Sequence, residues 1–257
     1  MTVPPVSLRY TGRSTPALER LRRIARQLGS LSERVVFIGG AVAPLLQTDD
    51  VLPHVRATKA VDAVIATSSY AELGVIRDSL RARGFSEAAL PPTHGVTTHL
   101  HRWIAPDGGG PFDLMPVGAH SGGTGALADT YAVESAVRID LGEQDGNRPC
   151  VVRHASAVAF LLLKWAAHGD RGRSEPYDSH ALEDIIAVMA SRPSVVIEGR
   201  DAPREVRRFL AEYCQEFLAD ADIADELLAA HLPAGTVISV RQSVLQRFRA
   251  LSTLDEA

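Results

Sequence analysis

Cysteine is scarce in this chain. Only Cys150 and Cys214 occur among its 257 residues, and they do not form a C-x-x-C spacing. That excludes a disulfide framework and a zinc ribbon, and it makes the reducing cytoplasm the expected setting. The opening stretch "MTVPPVSLRY" lacks the apolar core of a signal peptide, so no secretory leader is expected. Long hydrophobic runs are missing too. The longest, "AVAFLLLKWAA", falls short of the ~20 residues that span a bilayer and carries Lys164, so it reads as a buried helix with no membrane partner. Nor is there an excess of positive charge. With 27 Lys and Arg against 31 Asp and Glu, the formal net charge is −4. Bulk charge therefore gives no reason to expect nucleic-acid binding, which would need a local basic groove. The Gly-rich "SGGTG" at 121–125 lacks the Gly-Lys-Ser/Thr ending of a P-loop and reads as a flexible loop.

Apolar residues are plentiful. The chain is 46% hydrophobic and 23% charged, enough for one large or two modest cores. In "TPALERLRRIARQLG" the residues Leu18, Leu21, Ile24, Ala25 and Leu28 recur at helical spacing, with Gly29 as the stop. "RVVFI" reads as a short buried strand running into Gly39-Gly40, and "AVAPLLQ" as the start of a helix. "KAVDAVIA" is a second strand. Ser68 or Ser69 caps a helix through "YAELGVIRDSLRARG", whose stripe is Leu73, Ile76 and Leu80. "THLHRWI" and "PFDLMPV" read as a hairpin around "APDGGG". The second half is mainly helical: a buried helix from about Ala155, one capped by Ser179, one opened by Asp201 and Pro203, and two near 222–231 and 240–251. "GEQDGNRP" at 142–149 is the linker candidate. Strands followed by helices predict an α+β chain with domains at 1–145 and 150–257.

Two acids interrupt apolar strands. Asp62 lies in "AVDAVI" and Asp113 in "FDLMP". Carboxylates in such positions are costly unless paired or bound to a cation. If the two strands are neighbours, both acids converge on one oxygen-ligand site of the kind that suits Mg²⁺; otherwise each is a solvated strand end. Residues 60, 62 and 64 share a strand face, so Ala60 stands beside Asp62. Gly39-Gly40 between a strand and a helix permits close backbone approach to a phosphate. Lys164, in an apolar helix, needs either a phosphate to contact or a route to solvent. His99 and His101 share a strand face with His94 nearby, a spacing that fits either a transition-metal site or exposed strand histidines. Arg102 reads as an edge-strand arginine or a phosphate contact.

Taken in order, "FIGGAVAPLL", "RATKAVDAVI", "FDLMPV" and "FLLLKWAAHGDRGRSEPYDSHALEDI" resemble the motifs of the nucleotidyltransferase fold of the DNA polymerase beta superfamily, in its AbiEii-like branch of toxin components. The resemblance runs from roughly 30 to 220. It implies a nucleotidyltransferase-fold mixed sheet with flanking helices, followed by a helical domain. It also implies transfer of a nucleoside monophosphate from an NTP to a hydroxyl acceptor such as tRNA or a protein, with Mg²⁺ or Mn²⁺ as cofactor and a cognate antitoxin as partner. Asp62 and Asp113 match the second and third catalytic, metal-holding acids. Gly39, Gly40, Arg56, Thr58, Lys164 and Asp184 match positions that meet the nucleotide and its cation. Ala60 stands where the first acid belongs, and Ala181 where the S-x-D segment has its first aspartate. Two readings stay open: an active transferase whose acids have been replaced by alanine, or a pseudoenzyme that serves as antitoxin, nucleotide sensor or interaction module.

Overall fold

Thr15 begins the first helix by accepting a hydrogen bond from the Leu18 amide, and Pro16 takes the first helical position, where its missing N–H costs nothing. Helix α1, Pro16–Leu28, then buries Leu18, Leu21, Ile24 and Leu28 on one face. The structure is a computed structural model that describes residues 8–52, 58–88, 101–118, 123–142, 149–171 and 174–255.

The other strands and helices follow in order. β1 is Leu8–Arg9, β2 Val35–Ile38, α2 Ala43–Leu46, β3 Val61–Ile65, α3 Tyr70–Ala82, β4 Ser86–Glu87, β5 Arg102–Ala105 and β6 Gly110–Pro116. They continue with α4 Gly123–Glu134, β7 Val137–Asp140, β8 Val151–His154, α5 Ala157–Arg171, α6 His180–Ser191, α7 Val195–Arg200, α8 Arg204–Leu218, α9 Ala221–His231 and α10 Ile238–Ser252. The architecture is α+β, as the sequence pattern predicts. None of the described helices is long and apolar enough to cross a membrane.

The chain divides into two compact units, and the division is not a single cut. The first consists of the described residues within Met1–Val42, Ala57–His120 and Asp129–Ala155, the second of those within Ala43–Arg56, Ser121–Ala128 and Ser156–Ala257.

The first unit holds one eight-stranded mixed sheet in the order β1-β7-β8-β2-β3-β6-β5-β4. At its centre β2 runs antiparallel to β3, and β3 runs parallel to β6. β5 and β6 form the expected hairpin. Side chains alternate along β6: Phe112 and Leu114 are buried, while Asp113 between them is only partly so. Phe112 also meets Phe85, with ring centroids 5.8 Å apart.

The second unit is helical, around an aromatic cluster. Trp165 of α5 stacks on Tyr213 of α8 at 5.4 Å, and Phe217 stacks on Phe248 of α10 at 4.2 Å. The Arg247 side chain donates to the Met189 carbonyl and, at 2.8 Å, to that of Ala190, closing the end of α6.

The structure adds elements to the sequence reading. Residues 123–125 of "SGGTG" open helix α4 instead of forming a loop. β7 and β8 follow that helix, so the order is not strands first and helices afterwards. Arg56, His94, His99 and most of the 142–149 linker candidate lie outside the described residues.

Candidate functional site

The pairing register puts the two strand acids side by side. Asp62 of β3 is the direct partner of Asp113 of β6. On either side, Ile38 pairs with Asp62 and Arg102 of β5 pairs with Asp113. One row across the sheet therefore reads Ile38, Asp62, Asp113, Arg102, with neighbouring strands about 4.8 Å apart. Alternation puts the row on the face opposite Trp103, Phe112 and Leu114, so apolar packing holds both acids from behind.

Two like charges opposite one another repel. Arg102 offsets this: its Nε donates to Asp113 Oδ1 at 2.8 Å and its Nη2 to Asp113 Oδ2 at 2.6 Å, a two-pronged clamp. The hydrogen bonds to Asp113 hold the guanidinium pKa above its ordinary value, reinforced by the charge of Asp113 and then that of Asp62. Arg102 is half exposed, and Asp113 much less so. His101 precedes it, and its carbonyl accepts from the Leu114 amide. Burial, and secondarily the charge of Arg77, lower the His101 pKa against a smaller opposing pull from Asp113, so its ring is neutral at pH 7.

Gly39 completes the site. It adopts φ +72°, in the left-handed region, at the turn leaving β2. A Cβ at this position would sit 2.0 Å from Asp62 Oδ2, so only a glycine lets the carboxylate lie against this turn. Gly40 begins a 3-10 turn, Gly40–Val42, which passes into the single turn of α2. The expected helix start is thus short, with little aligned dipole.

Ala60 is half-buried and directly precedes β3. Its carbonyl accepts from the Thr58 hydroxyl at 3.1 Å, while Arg20 of α1 donates to the Thr58 carbonyl. Thr58 thus shapes the entry to the strand. A methyl group at position 60 offers no ligand, and among the described residues no group of three or more His, Cys, Asp or Glu side chains is arranged to hold a metal ion. Asp62 and Asp113 still suit one hard divalent cation that takes its remaining oxygens from water and phosphate, the usual way Mg²⁺ is held. They do not make the larger carboxylate set of a site for two cations.

The helical unit brings together the other two expected ligands. Lys164 Nζ of α5 lies 2.6 Å from Asp184 Oδ2 of α6, and 5.4 Å from the Phe160 ring centroid. Their side chains are 13% and 4% exposed, so Asp184 is buried and Lys164 largely covered. The lysine therefore neither reaches for solvent nor stands ready as a free cation. Beside this pair, His168 Nδ1 is 2.8 Å from the hydroxyl of Ser179, which also caps α6 by accepting from the Leu182 amide. Ala181 follows in the first turn of that helix, half-buried.

Arg102, which the sequence leaves as an edge-strand arginine or a phosphate contact, lies against a strand acid. Its signal was available: it and Asp113 flank the same hairpin, equidistant from its turn. Compared with models of protein families and with curated proteins, the chain matches none.

Proposed function

We propose that the first unit is a nucleotidyltransferase-type scaffold that binds a nucleoside triphosphate with a divalent cation, and that alanine at position 60 disables transfer. The observation that carries this reading is the direct register of Asp62 with Asp113 beside a turn that only glycine permits. Asp62 and Asp113 would hold Mg²⁺ or Mn²⁺. The turn at Gly39-Gly40 would give the phosphates close access to backbone, and Arg102 would add a fork of donors matched to phosphate oxygens. When bound, the cation supplies charge neutralisation for the triphosphate and its leaving pyrophosphate. The missing acid removes a ligand from the same strand face as Asp62, which leaves binding without effective catalysis.

The acceptor in this reading is a hydroxyl of tRNA or a protein, and the setting is the cytoplasm. Restoring the acid tests it. Ala60→Asp, alone and with Ala181→Asp, is expected to yield cation-dependent pyrophosphate release from one of the four nucleotides when tRNA or cell lysate is supplied. If the restored chains bind no nucleotide and label nothing, the transferase reading fails.

A second reading has its own observations. Arg102 on Asp113 and Lys164 on Asp184 give one acid of each expected ligand set a cation from the chain itself. That favours a non-catalytic module, such as a nucleotide sensor or an antitoxin. Nucleotide binding with no activity in the restored chains is the outcome this reading predicts.

A further inference from the structure

Asp113 already has an occupant. Both of its oxygens accept from one guanidinium, at 2.8 and 2.6 Å, so a cation approaching this carboxylate meets Arg102 first. We infer that Arg102 is an exchangeable counter-ion: it holds Asp113 while the cation is absent, is displaced when the cation binds, and then serves as a phosphate ligand. This inference rests on the cation-and-nucleotide reading above and adds to it an order of events and a source of cooperativity.

The charges favour this exchange. Asp62 stands in direct register with Asp113, so two carboxylates face a divalent cation at this row. A bound cation repels the guanidinium from the carboxylate it held. The geometry permits the movement. Arg102 lies on β5 with its side chain 47% exposed, so swinging outward costs little desolvation. Asp113, at 18% exposure and flanked in its strand by buried Phe112 and Leu114, stays where the sheet holds it. A guanidinium clamps phosphate with the same two-pronged donor set it uses on carboxylate, so its bonds are exchanged and not simply lost. The surface pair is of the kind whose net strength in water is small, which makes the exchange reversible.

The exchange links the two ligands. The cation must first displace Arg102, so it binds more weakly than two adjacent carboxylates would allow. The displaced arginine then helps the triphosphate, so cation and polyphosphate assist each other's binding.

Isothermal titration of the full chain and of Arg102→Ala tests this, with Mn²⁺ alone, then with inorganic tripolyphosphate and a non-hydrolysable nucleoside triphosphate at saturating Mn²⁺. The variant is expected to bind Mn²⁺ alone about fivefold to tenfold more tightly, and both polyphosphates at least about tenfold more weakly. Arg102→Lys, which keeps the charge without the fork, is expected to fall between, and it carries the test if the alanine variant does not fold. Equal Mn²⁺ affinity in all forms overturns the exchange. Weaker Mn²⁺ binding in Arg102→Ala also overturns it, since Arg102 would then hold Asp113 in position for the cation. If no form binds Mn²⁺ at all, the cation site itself fails and the inference falls with it, an outcome distinct from equal binding.

Discussion

Two ion pairs of equal length sit in very different surroundings. Arg102–Asp113 in the sheet unit and Lys164–Asp184 in the helical unit each close to 2.6 Å, but side-chain exposure is 47% and 18% in the first and 13% and 4% in the second. Water screens the first pair, so its loss changes stability by about 0–1 kcal/mol. In the second, removing the lysine takes away the cation 2.6 Å from a buried carboxylate, and breaking such a pair costs about 3–5 kcal/mol. Equal distances therefore do not mean equal roles. The more exposed pair is the one proposed to exchange partners with a ligand, whereas the pair around buried Asp184 is expected to contribute to stability. The resemblance treats Asp113 and Lys164 alike as ligand positions, but their environments set them apart.

The largest test of this contrast is Lys164→Ala, expected to lower unfolding stability by about 3–5 kcal/mol in a denaturant titration. A loss under about 1 kcal/mol would put Lys164 in the same class as Arg102 and erase the contrast. Lys164→Met combined with Asp184→Leu sharpens it: replacing both charges with apolar groups of similar size is expected to restore stability close to that of the parent chain.

Next in size is Gly39→Ala. It forces a side chain into the left-handed region and pushes a Cβ against Asp62 Oδ2, so a loss of about 1–3 kcal/mol is expected together with loss of Mn²⁺ binding. Unchanged Mn²⁺ affinity would separate Asp62 from the site. Arg102→Ala is smaller still, expected within about 1 kcal/mol of the parent in stability while altering ligand binding. The smallest effect concerns the thiols. Burial alone pushes the fully buried Cys214 strongly up from its ordinary pKa, and it is also the main cause of the smaller rise at Cys150. Both are expected to react slowly with a disulfide reagent in the native state, Cys150 first. Prompt labelling of Cys214 would mean the helical core opens readily.

Much of the fold was legible because local rules decided it. The stripe of Leu18, Leu21, Ile24 and Leu28 between Thr15 and Gly29 yields α1, and Ser69 and Ser179 cap α3 and α6 as their side chains favour. The acids of β3 and β6 stood out because nothing else polar interrupts those strands. The elements missed were those whose local signal is weak. β7, Val137–Asp140, has two exposed residues and only partly buried ones after them, and its pairing with β8 is a long-range contact. The glycines of "SGGTG" disfavour helix, yet α4 begins among them. In the site, the sequence marked Asp62, Asp113 and the glycine turn. It left open which cation each acid would meet, because the Arg102 clamp follows from strand register and the Lys164–Asp184 pair from packing of α5 on α6.

The proposed divalent-cation site consists of Asp62 and Asp113, in direct register on neighbouring strands. Paramagnetic resonance titration of Mn²⁺ into the parent chain and into Asp62→Asn measures it directly. The parent is expected to bind one Mn²⁺ per chain, tightened by a nucleoside triphosphate, and the variant, whose neutral amide is the poorer ligand, to lose affinity at least about tenfold. Equal Mn²⁺ binding by the two proteins would contradict it.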